Sequence, residues 1–509
     1  MAQVILIYPY LSREDDPTAL IMPLSLIYVA HPLTTHGYSV TIIDQRVTLG
    51  WQARLSEELS KGETICVGIS AMTGLQIEGG ILAAKIVREY SGDIPIVWGG
   101  VHPSLLPEQT VEDEHVDIVV IGEGEKTFLE LVTKLEGCEA IRNINGLCYK
   151  RDGAPVLNPR QPHLDLHEIE VSHLPYDLLE NIDQYLKNPL GHLPGAEEKS
   201  VAFLTSRGCP HRCTYCYNVR FNRRRWRAYE PEVVVRDLKY ITEKFGIRGV
   251  FLLDDNFFTN PRRVERICEL IIKNDIMVKF YNVNCRLDTA AEADTSFLKL
   301  MHTAGIHSLF IGVESASPRV LKAMRKDINI EDIFDVDRKL RCAGIVPTYS
   351  FMLGLPVENV DDIKNTLLFM CRIIDTNPDA RISSQPYLPL PGSEIFDTCV
   401  RKGLVVPQGL SEWAYLSENH VLHNLEGCCW FNEKDRGFLR KAVIMMQVID
   451  TKMNQRSTAT KEFLRRIYSN VVRLRIKHNF YGFMPELRLR EIEFLGLRKK
   501  RGRTVPPES

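Results

Sequence analysis

At 509 residues the chain exceeds what one ordinary hydrophobic core supports, so two or three domains are expected. A formal net charge of -2 with 44% hydrophobic residues is the profile of a soluble globular protein; it excludes a disordered or collagenous chain and gives no reason to expect a nucleic-acid partner. The opening "MAQVILIYPYLSRED" has no basic region before its short apolar run, and no apolar stretch reaches the roughly 18 residues of a spanning helix. A cytoplasmic location is therefore expected. Thirteen cysteines are present, and most sit singly in apolar runs, as Cys66, Cys268 and Cys371 do, which reads as reduced core residues. Only Cys209, Cys213 and Cys216, and the pair Cys428-Cys429, depart from that pattern.

Residues 1–145 alternate short apolar runs with helical stretches: "QVILIYPY", "SVTIIDQ", "TICVGISAM", "IPIVWGG" and "VDIVVIGEGE" are the runs. Runs buried on both faces and separated by helices predict a parallel, doubly wound (Rossmann-like) α/β sheet. Ligands in such sheets bind at the carboxyl ends of the strands, which here carry Ser70 to Thr73, Gly99-Gly100, His102 and Gly122-Glu123. The glycines there either let backbone approach a ligand closely or make tight strand-to-helix turns.

Residues 146–195, opening with "DGAPVLNPRQP", are rich in turn formers and read as a linker. From 196 to 400 a second alternation runs through "VAFLTS", "GVFLLDD", "VKFYNVNC", "HSLFIGVE", "PTYSFMLGLP" and "ARISSQPYLPLP". Six consecutive βα units predict a full or partial TIM-type barrel with its site at the strand carboxyl ends. The three-cysteine loop "TSRGCPHRCTYCYN" follows the first of these strands, on the functional face.

Three thiolates cannot close a tetrahedral zinc site unaided; His211, inside the loop, is the available fourth ligand for that reading. The alternative is a four-iron cluster with one iron left without a protein ligand and open to substrate atoms. Gly208 and Pro210 shape the turn, and Tyr215 sets an aromatic face beside it.

With these residues the chain resembles the radical S-adenosylmethionine (SAM) enzymes, whose CxxxCxxC loop after the first barrel strand matches Cys209, Cys213 and Cys216. The resemblance implies a [4Fe-4S] cluster on those cysteines, chelation of SAM by the open iron, a 5'-deoxyadenosyl radical and a reducing partner such as flavodoxin or ferredoxin. It also implies SAM contacts at Asp254 and Asp255 in "LLDD", Glu314 and Ser315 in "GVES", and Gly354 in "GLPVE", with "PYLPLPGS" as the sixth-strand ending. Read alone, Asp254 and Asp255 would serve as a solvated strand end or a helix cap.

A doubly wound domain ahead of this barrel resembles the cobalamin-binding class of the family, which includes many methyltransferases and ring-forming enzymes of the bacteriochlorophyll type. That resemblance implies cobalamin at Ser70, Thr73, Gly99, Gly100, His102, Gly122 and Glu123. The histidine-bearing DxHxxG pattern of the class is replaced by "DQRVTLG", with Arg46 at the histidine position and Leu49 at the glycine. A guanidinium stays protonated and offers no lone pair, so a protein ligand below cobalt is not expected. His102 reads as a hydrogen-bonding or capping residue.

The helical region 401–509 carries no assignable motif. Its run from Arg465 to Arg503 is strongly basic and interleaved with Phe463, Tyr468, Phe480, Tyr481, Phe483 and Phe494. It is either a solvated face or a surface meeting anionic lipid or an anionic substrate. Cys428 and Cys429 either ligate a second cluster or sit one buried and one not. Three functional readings stand: cobalamin-dependent methylation of an unactivated carbon of a small-molecule or lipid-like substrate, radical cyclisation or carbon-carbon coupling without methyl transfer, and a non-catalytic corrinoid or iron-sulfur sensor.

Overall fold

A computed structural model describes residues 2–11, 20–169, 173–187, 199–281, 283–416, 428–449 and 459–482. Strands β1 (Gln3–Tyr8), β2 (Ser39–Asp44), β3 (Thr64–Ser70), β4 (Ile96–Gly99) and β5 (Ile118–Val120) lie parallel in the order β2-β1-β3-β4-β5. Alternate side chains of β1 enter different cores: Val4 and Leu6 pack with the helices Leu24–Thr35 and Gly124–Glu136, Ile5 and Ile7 with the helices Trp51–Ser60 and Leu75–Tyr90. Burial on both faces is what a continuous aliphatic strand requires. The chain leaves β1 to one side and returns on the other with β3, so the strand order reverses between them and opens a crevice at their carboxyl ends.

The segment expected to be a linker instead completes this sheet. β6 (Leu147–Arg151) pairs antiparallel with β5, and β7 (Ala154–Leu157) pairs antiparallel with β6. Asp152 and Gly153 between them have φ of 55° and 79°, the two left-handed residues of a two-residue hairpin. The Asp-Gly that suggested only a turn was therefore a hairpin signal, obscured by two short strands carrying Lys, Arg and Pro. The rest of the segment is a packed strap: Leu164, Leu166, Ile169, Leu174 and Tyr176 are buried, and the Tyr185 hydroxyl donates to Asp44 Oδ2 at 2.7 Å.

The second unit begins with β8 (Ser200–Phe203). β9 (Ser206–Arg207) and β10 (Arg227–Ala228) pair antiparallel and close the base of the cysteine loop. β11 (Gly249–Leu252), β12 (Lys279–Tyr281), β13 (Val283–Arg286), β14 (Ser308–Glu314), β15 (Val346–Leu353) and β16 (Arg381–Pro386) follow, each main strand parallel to its neighbour. They form two arcs, β12-β11-β8 and β13-β14-β15-β16, which meet where β12 gives way to β13. Amphipathic helices such as Pro231–Phe245, Pro261–Lys273 and Val360–Thr376 cover the outside. The result is an α/β protein: a doubly wound domain, a partial barrel and C-terminal helices.

The C-terminal segment ties the units together. Trp413, fully buried, packs against the rings of His102 (5.4 Å) and Phe396 (6.0 Å) and donates from Nε1 to Gln109 Oε1 at 2.7 Å. The helix Ala459–Lys477 brings Arg473 and Lys477 to Asp375 on the barrel helix Val360–Thr376. That part of the basic run is thus an intramolecular contact; Phe483, Phe494 and the basic residues beyond 482 lie outside the described residues. Among the described residues no helix is long and apolar enough to cross a membrane. Trp413→Ala should destabilise the protein by about 3–5 kcal/mol, read as a lower midpoint in chemical denaturation.

Candidate functional site

The cysteine loop leaves the barrel between β9 and β10. Gly208 turns it with φ of 85°, and a Cβ there would stand 1.9 Å from the Arg225 carbonyl oxygen, so no other residue fits. The loop is then pinned to strand ends from several sides. The Gly208 amide donates to Asp255 Oδ2 (2.8 Å), the Thr214 amide to the Met324 carbonyl (3.0 Å), and the Ile395 amide to the Thr214 carbonyl (3.0 Å). Cys209, Cys213 and Cys216 are all free thiols. Asn256 Nδ2 lies 3.9 Å from Cys209 Sγ and an Arg286 nitrogen 3.8 Å from Cys213 Sγ, so polar donors face the sulfurs. Burial pushes the Cys216 thiol up to about 12, and the charges of Cys213, Asp255 and Cys209 add to the rise. Thiols in this setting ionise only around a cationic centre. Among the described residues no three His, Cys, Asp or Glu side chains close on one point as ligands of a single metal ion.

Behind the loop the expected SAM-contacting residues divide. Asp254 is buried, and both its oxygens are taken by the loop: Oδ1 accepts from the Thr205 amide at 2.7 Å, Oδ2 from the Thr205 and Ser206 hydroxyls at 2.6 and 2.5 Å. It positions the loop, and with both oxygens committed there it differs from the ligand-contacting role expected of it. Asp255 is exposed and lines a cavity described below. Ser315 is wholly buried; its hydroxyl accepts from the Ser317 amide at 3.2 Å and lies 3.4 Å from Thr366 Oγ1. Gly354 is likewise engaged, its amide donating to Glu358 Oε2 (2.6 Å) and its carbonyl accepting from Trp430 Nε1 (3.0 Å). Ser315 and the Gly354 backbone therefore shape the strand ends rather than offering free groups.

Glu314 ends β14 with φ of 73°, a strained value for a non-glycine residue. Its Oε1 accepts from Lys326 Nζ at 2.9 Å and the Tyr215 hydroxyl at 3.2 Å, while Oε2 has only Ser350 at 3.5 Å. Burial and then the Glu314 charge push the Tyr215 phenol well up, so it remains a donor. The aromatic residue of the cysteine loop is thereby tied to the fourth strand through one carboxylate and one buried lysine. Nothing in "LKAMRKD" distinguished Lys326 from Lys322 or Arg325 in the sequence.

Opposite the loop, Gly99, Gly100, Gly122, Glu123 and Ser70 line a cavity of about 420 Å³ at the strand ends of the doubly wound sheet. Its far wall comes from the barrel: Leu204, Arg207, Tyr217, Leu253 and Asp255. Thr73 and His102 are not part of it. Their side chains bond each other at 2.9 Å, and His102 is fully buried against Trp413, its pKa lowered to about 3 by burial. Arg46 is closed on Asp44, Nε donating to Oδ1 at 2.9 Å and a terminal nitrogen to Oδ2 at 2.6 Å, and lies over the Tyr8 ring.

Glu123 does more than line the cavity. It accepts from Arg227 at 2.8 and 2.9 Å and from Arg207 at 3.1 Å. Burial would raise its carboxyl, but the Arg227 hydrogen bond and the two guanidinium charges outweigh it and hold the pKa at about 2. Arg207 also meets Glu125 at 2.8 Å and the Tyr28 ring. Sequence reading placed Glu123 among ligand contacts and missed both arginines, which flank the cysteine loop at β9 and β10.

A doubly wound domain and a partial barrel sharing one cavity, with three thiols at the barrel's mouth, define a two-domain radical SAM architecture. The family model of the radical SAM superfamily matches residues 203–370, and that of the B12 binding domain matches residues 18–132. The chain belongs to the radical SAM proteins that carry a cobalamin-binding domain. It is 29% identical to the uncharacterized methyltransferase PH0819 of Pyrococcus horikoshii, over 83% of this chain and 87% of the relative. It is also 29% identical to the anaerobic magnesium-protoporphyrin IX monomethyl ester cyclase of Rubrivivax gelatinosus, covering 74% of this chain and 65% of that protein. Among solved structures, the cobalamin-dependent SAM radical enzyme OxsB with aqua-cobalamin bound superposes with a TM-score of 0.70 at 19% identity, over 97% of this chain and 75% of that one. The SAM radical methyltransferase TsrM of Kitasatospora setae, with cobalamin and a [4Fe-4S] cluster bound, gives a TM-score of 0.65 at 18% identity, covering 79% and 76%.

Glu358, wholly enclosed beneath the fifth strand end, generates a pH prediction. Burial raises its pKa from 4.5 to about 8, against the opposing amide hydrogen bonds of Leu355 and Gly354. The folded state then holds a proton that the unfolded state has released, so stability falls as pH rises from about 4.5 to about 8. Glu358→Gln should flatten that fall, measured as denaturation midpoints between these pH values.

Proposed function

We propose that the protein is a cobalamin-dependent radical SAM methyltransferase that methylates an unactivated carbon of a small-molecule substrate. The observation that carries this reading is the cavity walled on one side by the sheet ends of the doubly wound domain and on the other by the barrel face that bears the cysteine loop. Cys209, Cys213 and Cys216 would hold a [4Fe-4S] cluster: three free thiols in one loop, faced by polar donors, suit a cluster with one iron left open. Gly99, Gly100 and Gly122 would seat a corrinoid by its flat face, since they present bare backbone to the cavity. Bound there, the cluster and SAM supply a 5'-deoxyadenosyl radical, and the corrinoid supplies a methyl carrier.

The chain's own residues perform the rest. Glu314 is held by Lys326 and Tyr215 with Oε2 left to accept from a ribose hydroxyl. Asp255 orients the loop through the Gly208 amide and lines the cavity, where its carboxylate would accept hydrogen bonds from a bound ligand. Arg46, closed on Asp44, has no lone pair of its own to offer a metal. The relatives that are ring-forming cyclases support a second reading, radical cyclisation without methyl transfer.

Cys209→Ala, Cys213→Ala and Cys216→Ala should each abolish 5'-deoxyadenosine formation after anaerobic reconstitution and reduction. A variant lacking all three that still made it would overturn the cluster assignment. Gly99→Leu separates the two readings. Its Cβ would lie 3.8 Å from the nearest atom, the Val120 carbonyl oxygen, so the side chain enters the cavity without backbone strain. We expect this variant to lose corrinoid, seen in the visible spectrum, and methylation, while 5'-deoxyadenosine formation persists. Wild-type protein that retains no corrinoid yet cleaves SAM would instead support cyclisation.

A further inference from the structure

The run "RFNRRRWR", residues 220–227, follows the cysteine loop with five arginines in eight positions. Three of them are engaged: Arg220 with Asp397 at 2.8 Å, Arg224 with the Pro210 carbonyl at 3.1 Å, and Arg227 with Glu123. Arg223 and Arg225 have no carboxylate partner among the described residues. Nor does Arg160, on the strap, whose side chain reaches only the Arg220 carbonyl at 3.4 Å. These three, with His163 and His167, line a cleft of about 630 Å³. Its one free-standing acid, Asp165, is turned to the His167 amide at 3.1 Å.

Three features distinguish the cleft from an ordinary solvated arginine face. It is concave, with Leu164 and Leu166 among its walls. Its backbone is constrained: Arg223 and Arg224 both adopt left-handed φ, 50° and 59°, which gathers the guanidinium groups in one tight loop. Its charges crowd one another. Burial and then the Arg223 charge lower the Arg160 pKa; burial lowers that of His163, and Arg227, Arg223 and Arg225 reinforce it. The His163 Nε2 is buried without a partner. A small pocket of about 20 Å³ lies between the two, sharing Arg160, His163 and Arg223 with the cleft and Gly122, Glu123, Phe221 and Asn222 with the interdomain cavity.

We propose that this cleft binds the phosphate group of a phosphorylated small-molecule substrate whose remaining part extends toward the adjoining interdomain cavity. Planar guanidinium groups match phosphate oxygens in pairs, and crowded arginines release repulsion when an anion arrives. The site itself follows from the residues of the cleft; that its occupant is a substrate rests on the proposed function.

The probe is inorganic pyrophosphate, titrated calorimetrically into the holoprotein at low salt. Saturable binding is expected, weakening as salt rises, and the combined Arg160→Ala, Arg223→Ala and Arg225→Ala variant should bind at least about tenfold more weakly. All three residues are exposed, and an unchanged unfolding midpoint checks that the variant is folded. No saturation by about 10 mM, or equal affinity in the variant, overturns the proposal. It is also overturned if the variant keeps pyrophosphate affinity but loses flavodoxin-driven, and not dithionite-driven, 5'-deoxyadenosine formation, because the face is then a protein dock. Pyrophosphate binding by protein that cleaves no SAM would leave the cleft standing and remove the enzyme reading.

Discussion

Glu123 stands at the end of one domain's sheet and is claimed by two arginines of the other, Arg207 and Arg227, which belong to the two short strands closing the cysteine loop. Removing two or three charges from water is favourable only where geometry is good and the remaining donors are satisfied. Here Arg207 meets Glu125 and the Tyr28 ring as well, and the Leu164 amide adds a bond to Glu123 at 2.9 Å. The consequence is positional. The loop's root cannot slide along the sheet edge without uncovering buried charge, so the distance between the sheet's strand ends and the three thiols is set by electrostatics rather than by loop length.

Around that joint, the strand ends are organised by residues whose polar groups are committed to neighbouring chain segments. Asp254 gathers Thr205 and Ser206. Glu358 gathers the amides of Gly354 and Leu355, and Trp430 takes the Gly354 carbonyl from the other side. Each converts a flexible strand-to-helix turn into one conformation, which is how a site achieves the pre-organisation that chemistry requires. The C-terminal helices contribute in the same way, Leu439 lying against Gly354.

What was legible in the sequence followed periodicity and covalent spacing. The aliphatic runs announced β1 to β5 and the barrel strands because both faces are buried, and the cysteine spacing announced the loop because thiols have few other reasons to cluster. The β6-β7 hairpin was misread because short strands carrying Lys, Arg and Pro lack an apolar signature. Long-range side-chain partnership was not legible at all. "LLDD" gives no hint that its first aspartate faces inward and its second outward, and "GVES" does not say that Glu314 is free on one oxygen while Ser315 is enclosed. His102 looked like a strand-end polar group, and only the distant Trp413 shows it to be core.

Arg46 and Asp44 form a closed ion pair where the DxHxxG pattern would place a histidine. An imidazole at that position would change charge within the physiological range and pass that change to whatever rests on the sheet. A guanidinium does not titrate there, and its carboxylate partner is held by it and by the Tyr185 hydroxyl. The guanidinium therefore passes no charge change to the sheet from mildly acidic to mildly alkaline conditions, so proton-linked control of this domain has to come from other groups.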